Sequence, residues 1–306
     1  MSDRHVIIGA GPVGRAVATV LAERGSEVVL ASRSGEGPEL AGARRVAVNA
    51  SDPDALSRLA DGAQVLYNCV NPPRYDAWPE LWPPVAAALM TAAERTGAVL
   101  AVTGNLYPYG PVDDGSMVEG MPDAAPGKKA QIRARMTADA LAAHRAGRVR
   151  TVEVRGSDYV GEPLRGNAHV PRVIPAALQG KTVRVIGDAH QPHTWTDVHD
   201  MGRALVATAT TESALGRIWH APSNPPRTQA EAVNDVLASV GRPPVTVKAY
   251  PRWVLRALGA MNGQMRELQE TEYQFTRPYV MDSSAISREL GLAPTPWEET
   301  CRRTAG

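Results

Sequence analysis

Apolar residues first gather at Val6-Ile7-Ile8, a short run with the composition of a buried strand. An amphipathic stretch from Arg15 to Arg24 follows a glycine-rich turn and predicts a helix. The alternation then repeats. Glu27–Ala31, Arg45–Asn49, Ala63–Cys69, Val99–Thr103 and Thr151–Arg155 read as further strands. Between them lie predicted helices at Ala55–Ala60, at the alanine-rich stretch Pro83–Thr96 and at Lys128–Ala143. Ser51 is the N-cap candidate of the first of these, with acids in its first turn. Repeated strand–helix units with short loops predict an α/β fold built on a doubly wound parallel sheet. Beyond about residue 160 the alternation loosens and prolines become frequent. Pro171–Leu178, Met201–Thr210 and Thr228–Val240 read as helices there, and Thr182–Ile186 as a strand.

The turn between the first strand and helix carries the sharpest chemistry. Gly9, Gly11 and Gly14 fall at G-x-G-x-x-G spacing, enclosing Pro12 and Val13, in the order strand, turn, helix. The first glycine permits the tight turn, the second lets backbone N–H groups approach a pyrophosphate, and the third lets helix and strand pack closely. Phosphates would rest on the helix N-terminus, where unpaired N–H groups favour negative charge. The alternative is a structural turn that binds nothing. A Rossmann-type dinucleotide site is the expectation.

The second strand bears on which dinucleotide. NAD sites commonly end this strand in an acidic residue that bonds the ribose 2′-OH. Here Ala31 and Ser32 stand at that point and Arg33 follows. A carboxylate would repel a 2′-phosphate, whereas an arginine grips it with several donors. We therefore expect NADP(H), the alternative for Arg33 being a solvated loop position. Residues 1–160 would form the NADP-binding Rossmann domain. Residues 161–306 would form mostly a smaller substrate-binding cap, with some segments returning to the sheet. The cleft between them is the expected substrate site.

Composition narrows the classes. The chain has 306 residues and a net charge of +1, so it carries no electrostatic footprint for nucleic acid or anionic membrane. Lysine occurs only at positions 128, 129, 181 and 248, and the arginine bias has the look of a GC-rich bacterial coding sequence. Two distant cysteines, Cys69 and Cys301, form no redox or metal motif and suit a reducing cytoplasm. The first strand starts within about five residues, so no signal peptide is expected, and no apolar run approaches a membrane span. The expected partners are a small-molecule substrate and a second copy of the chain, not nucleic acid or membrane.

The chain resembles the short-chain dehydrogenase/reductase superfamily, in its extended or atypical branch of NAD-dependent epimerase/dehydratase type. The resemblance spans nearly the whole sequence. Besides the glycine turn it rests on Asp52 after the third strand, Asn68-Cys69-Val70-Asn71-Pro72 at the fourth, and Thr103-Gly104-Asn105-Leu106-Tyr107-Pro108-Tyr109-Gly110 at the fifth. It rests also on Arg155-Gly156-Ser157-Asp158-Tyr159-Val160-Gly161, and on the later Ile186-Gly187-Asp188 and Thr194–Asp200 segments. It implies an adenine contact at Asp52 and a cofactor-lining role at Asn71. It also implies a catalytic Ser/Thr position at Thr103 or Asn105, able to hydrogen-bond a substrate oxygen. The family's Tyr-x-x-x-Lys pair, whose lysine lowers the tyrosine pKa, is missing: no tyrosine here has lysine four residues later. By helix alignment the pair falls near Gln131 and Arg135, or earlier near Lys128 and Lys129.

Several residues are candidates to fill the gap. Tyr107 or Tyr109 would replace the acid, or pack as loop tyrosines under the cap. Lys128 or Lys129 would hold the nicotinamide ribose, or stay solvated. Ser157, Asp158 and Tyr159, at the carboxyl edge of the sheet, are the substrate-contact candidates. His190, His193 and His199 with Asp197 and Asp200 form a dense cluster whose spacing fits no zinc motif, so no metal is expected. Trp253, Met261, Met265, Tyr273 and Phe275 line an apolar pocket or form cap core. Three activities fit: an NADP-dependent oxidoreductase or epimerase, an NADP-binding sensor without turnover, and a lyase, cyclase or isomerase that uses the cofactor structurally or in a closed redox cycle.

Overall fold

The computed structural model describes residues 3–37, 39–72, 74–112, 115–162, 164, 168–251, 254 and 270–306. Trp253, Met261 and Met265 lie outside the described residues. The first half alternates β1 (Arg4–Ile8), α1 (Pro12–Glu23), β2 (Glu27–Ser32), β3 (Ala43–Ala47), α2 (Pro53–Ala60), β4 (Val65–Asn68), α3 (Trp78–Thr96), β5 (Val99–Asn105), α4 (Lys128–Arg145) and β6 (Thr151–Gly156). After it come β7 (Asp158–Val160), α5 (Ile174–Ala177), β8 (Val183–Val185), β9 (Trp195–Asp197), α6 (Val198–Ala209), β10 (Ile218–His220), α7 (Gln229–Ser239) and β11 (Val247–Ala249). The chain closes with α8 (Tyr273–Thr276), α9 (Ser284–Leu290) and α10 (Trp297–Ala305).

Seven strands form one parallel sheet in the order β10-β6-β5-β4-β1-β2-β3. The order reverses between β1 and β4, so their carboxyl ends part and leave a crevice where such sheets bind ligands. The expected doubly wound fold is the one observed. Both sheet faces are covered, which is why the central strands are nearly continuous apolar runs. On one face α1 and α6 bury Val17, Leu21, Met201 and Leu205. On the other, α2, α3 and α4 bury Leu56, Trp78, Trp82, Leu89 and Ala143. A separate core joins Val160, Ile174, Val183, Trp195, Val233, Leu237 and Phe275. The later segments also feed the sheet, since β10 pairs with β6 in the register Trp219↔Val154.

Three elements differ from expectation for physical reasons. β3 begins two residues early, pairing Arg44 with Val29 and Arg45 with Leu30. As an edge strand it tolerates polar residues, which hid its start. Helix α3 begins at Trp78 rather than Pro83, carrying Pro83 and Pro84 inside it. The buried Trp78 and Trp82 rings meet edge to face at 6.0 Å, and this packing offsets the missing backbone bonds. The helix expected over 171–178 splits into a 3-10 turn at Pro171–Val173 and the short α5.

Candidate functional site

The glycine turn is built for close approach. Gly9 has φ 109°, and a β-carbon there would lie 2.4 Å from the Cys69 carbonyl oxygen. A β-carbon on Gly14 would lie 1.8 Å from the Gly9 oxygen. At Gly11 it would meet nothing within 4 Å, so this glycine faces open space above the crevice. Gly11 caps α1 without a side-chain bond, Pro12 occupies the first turn and no acidic residue follows there. The helix N-terminus thus offers N–H groups and positive dipole to an outside anion, and Val13 seals the core beneath it. These residues fit a dinucleotide pyrophosphate.

Beyond β2, the Ser32 hydroxyl accepts from the Gly35 N–H at 3.0 Å and shapes the loop. Arg45 from β3 braces it, donating to the carbonyls of Gly35 (3.3 Å) and Glu36 (2.5 Å). Arg33 is exposed on that loop and has no hydrogen-bond or ionic partner among the described residues. Asp52, not Ser51, caps α2: its Oδ1 accepts from the N–H groups of Asp54 (3.0 Å) and Ala55 (2.9 Å). Asn71 is exposed just past β4.

The α4 face settles which residues meet β5. Gln131 and Arg135 point outward, Arg135 pairing with Asp139 at 2.9 Å. The inward face carries Lys129, Arg133 and Thr137, spaced four apart and all buried. Arg133 donates to the Thr103 carbonyl at 3.2 Å, with its guanidinium 4.1 Å from the Trp82 ring centroid. Lys129 is 2 % exposed, and its ammonium lies 3.4 Å from Glu270. Positions 129 and 133 thus put two cations, and no tyrosine, on the inward face of α4. Of the two expected alignments, Gln131 and Arg135 lie on the outward face of α4, whereas Lys129 lies on the inward one. The phase of this helix was hidden, because buried polar side chains on α4 leave no apolar stripe to read.

Around β5, the Thr103 hydroxyl donates to Cys69 Sγ at 3.6 Å, and burial pushes the Cys69 thiol up to about 12. Asn105 Oδ1 accepts from the Tyr107 N–H at 3.2 Å, and the Tyr107 ring stacks on Trp78. Tyr109 is buried in a charged strut. Its hydroxyl lies 2.9 Å from His220 Nε2, while His220 Nδ1 faces the Asp282 carbonyl at 2.7 Å. A carbonyl only accepts, so Nδ1 holds the proton and Tyr109 donates. Burial pushes Tyr109 up to about 12 and His220 down to about 4. Arg155 lies beneath the Tyr109 ring and holds Asp123 with two bonds (2.7 and 2.8 Å) and Glu153 with a third (2.8 Å). The Tyr109 hydroxyl is thereby engaged by His220, the last residue of β10.

Ser157, Asp158 and Tyr159 diverge. Asp158 Oδ2 meets His193 Nε2 at 2.9 Å, and Oδ1 lies 3.6 Å from His169. His193 Nδ1 donates to the Gln274 carbonyl at 3.1 Å, and the ring stacks on Phe275 at 4.9 Å. Burial pushes the Asp158 carboxyl up, but His169, His193 and Arg172 outweigh it and hold it below its ordinary value. Burial drives His169 down to about 4. Ser157 lies 3.4 Å from the same His193 nitrogen. Tyr159 turns the other way, onto the core beneath α1 that contains Cys69 and Val13. The histidine–aspartate cluster seen in the sequence disperses. Asp197 caps α6 and holds Arg303 at 2.7 Å, Asp200 accepts from Thr295, and His190 is exposed. Among the described residues no group of three His, Cys, Asp or Glu side chains is arranged to hold a metal ion, and no helix is long and apolar enough to cross a membrane.

A seven-stranded doubly wound sheet with a glycine cradle at its switch point defines a dinucleotide-binding protein of the Rossmann type. Residues 6–220 match the family model described as the NAD dependent epimerase/dehydratase family, and the chain belongs to that family. No curated protein sequence matches it. Among solved structures it is similar to a UDP-glucose 4-epimerase with UDP-glucose from Thermotoga maritima (TM-score 0.79, 15% identity, 99% of this chain and 97% of that one). It is similar also to a dTDP-glucose 4,6-dehydratase from Bacillus anthracis in complex with NAD (0.78, 15%, 99% and 95%). A third is a Thermus thermophilus UDP-glucose 4-epimerase complex with NAD (0.78, 17%, 99% and 97%). At these identities the likeness is one of fold.

Proposed function

We propose that the chain is an NADP(H)-dependent oxidoreductase or epimerase of the atypical short-chain type, acting in the cytoplasm on a small molecule. The observation that carries this reading is the glycine cradle with Arg33 beside it: an open anion seat at Gly11, and an exposed guanidinium where a carboxylate would select NAD. Bound there, the cofactor would accept or supply hydride at the carboxyl edge of β4, β5 and β6. Gly11, Val13 and Gly14 hold its phosphates, Ser32 and Arg33 its 2′-phosphate, and Asp52 and Asn71 lie along the adenine side. Thr103 and Asn105 bond the substrate oxygen, and Ser157 and Tyr159 face the rest of the substrate, with Asp158 held behind them by His169 and His193. Sugar nucleotides are the first class to try, because the structural neighbours act on them. Calorimetric titration with NADPH and NADH tests the cofactor half, and hydride transfer with a carbonyl and sugar-nucleotide panel tests the rest. Tight NADPH binding with much weaker NADH is expected; no heat from either overturns the reading.

A second reading is favoured by one observation. The inward face of α4 carries two cations, Lys129 and Arg133, and no tyrosine, and each cation is fixed by protein partners. An NADP-binding sensor without turnover would look the same, and would bind NADPH yet transfer hydride to no member of the panel. The third reading, a lyase, cyclase or isomerase with a closed redox cycle, would convert substrate with no net NADPH loss. For the outer face of α3 and α4 the proposed partner is a second copy of the chain.

A further inference from the structure

We propose that Tyr159 is the proton-transfer residue of this site, reaching the sheet edge from β7 instead of from α4. The inference rests on the reading of the chain as a nicotinamide-dependent enzyme and adds the group which that reading lacks. Its basis is the glycine at position 156, the last residue of β6, paired with Asn105 at the carboxyl end of β5. A β-carbon on Gly156 would lie 3.4 Å from the Tyr159 hydroxyl oxygen and 3.4 Å from its Cε1. The phenol of residue 159 thus folds back over Gly156, within van der Waals range of where a β-carbon there would stand.

The strand direction explains this. Successive side chains on β7 point to opposite sides. Asp158 faces His169 and His193, and Tyr159 faces the crevice side, packing on the cluster that contains Val13 and Cys69. The Tyr159 ring is half-buried, and its hydroxyl has no hydrogen-bond partner among the described residues. This contrasts with Tyr109, whose hydroxyl is spent on His220. The charged and titratable groups that bear on Tyr159 are Cys69 past β4, Arg133 from α4 and Asp158 on its own strand. Burial, then Cys69, push the phenol up, while the Arg133 guanidinium pulls it back. Arg133, on the inward face of α4, is the cation that favours the Tyr159 tyrosinate, the part that the resemblance gives to a lysine. The cation is kept, and the tyrosine it serves comes from another strand.

In the reductive direction a carbonyl carbon gains the hydride supplied by the reduced nicotinamide, and the C=O π pair moves to oxygen. Tyr159 gives its hydroxyl proton to that oxygen, and the tyrosinate left behind regains a proton from water. Thr103 or Asn105 holds the oxygen in place.

The test uses the intact protein, labelled with 13C at tyrosine Cζ, a nucleus that reports phenol ionisation. The Tyr159 signal is the one missing from Tyr159→Phe, and a matching melting curve shows that variant to be folded. The probes are NADP+, NADPH and 2′-phospho-ADP-ribose, which fills the cradle but carries no nicotinamide. NADP+ is expected to move the Tyr159 signal and to lower its titration midpoint by about one unit or more relative to NADPH, because the oxidised ring is positive. The ring-free analogue is expected to leave it in place. A Tyr159 signal unmoved by NADP+, or moved equally by the ring-free analogue, overturns the assignment while calorimetry still registers binding. Absence of binding by all three instead removes the cofactor reading itself. The readout needs no substrate, and NADP+ against NADPH in the wild type remains decisive if the variant fails to fold.

Discussion

Arg33 and Arg45 divide the work of the β2 loop. Arg45 is spent on the carbonyls of Gly35 and Glu36, while Arg33 has no partner to lose among the described residues. Arg33→Ala should therefore leave the melting temperature unchanged and weaken NADPH by roughly tenfold to a hundredfold, the worth of a charge-assisted contact. NADH should change little; equal loss for both, by calorimetry, would remove the 2′-phosphate assignment. Buried histidines give a second prediction. His169 and His220 are held near pH 4 in the folded chain by burial, against about 6.5 when unfolded. Between those values the unfolded chain binds more protons, so stability is fully present above about pH 6.5 and falls as pH drops toward 4. The loss is on the order of 3 kcal/mol per histidine at most. Urea midpoints at pH 7, 5.5 and 4.5 check it, and a flat profile would mean that these imidazoles are not held neutral.

At the level of elements, the two outer glycines of the cradle hold the backbone and the middle one leaves space for a ligand. Gly14→Ala forces a β-carbon against the Gly9 oxygen, so α1 must move away from β1. That variant should lose several kcal/mol of stability and cofactor binding together. Gly11→Ala meets nothing, has φ −72°, and should cost about 1 kcal/mol or less while abolishing tight binding. Calorimetry beside thermal melts separates the two; a Gly11→Ala protein that binds normally would place the phosphates elsewhere. This cradle was legible in the sequence because its chemistry is local: three glycines, one strand and one helix within twenty residues. The α4 face was not. Lys129, Arg133 and Thr137 are buried by the aromatic rings of α3, by Glu270 and by Glu153, all remote in sequence. Only their four-residue spacing marked them, and Gln131 and Arg135 share it. The Asp158–His193 pair was equally hidden, since its members lie 35 positions apart and only the β7–β9 pairing joins them.

For the whole molecule, α3 presents a second apolar face that no other described residue covers. Trp78, Trp82, Val85 and Leu89 point inward, while Pro83, Ala86, Ala87 and Met90 point to a groove shared with Ile132 and Met136 of α4. The outward set repeats at three- and four-residue intervals, the spacing of a helix packed on both sides. Lys128, Arg135, Asp139 and Arg148 border it, giving the apolar centre and charged rim of an interface. A two-fold partner would lay its own α3 and α4 across this groove, each copy offering the same patch. The chain should therefore sediment as a dimer at micromolar concentration. Met90→Glu places a carboxylate in the centre of the contact, twice over by symmetry, and should weaken association at least tenfold. NADPH affinity should hold, because the crevice lies at the carboxyl ends of the strands and not on the outer helix face. A wild-type monomer, or a Met90→Glu dimer as tight as wild type, would show that this face is not where copies meet.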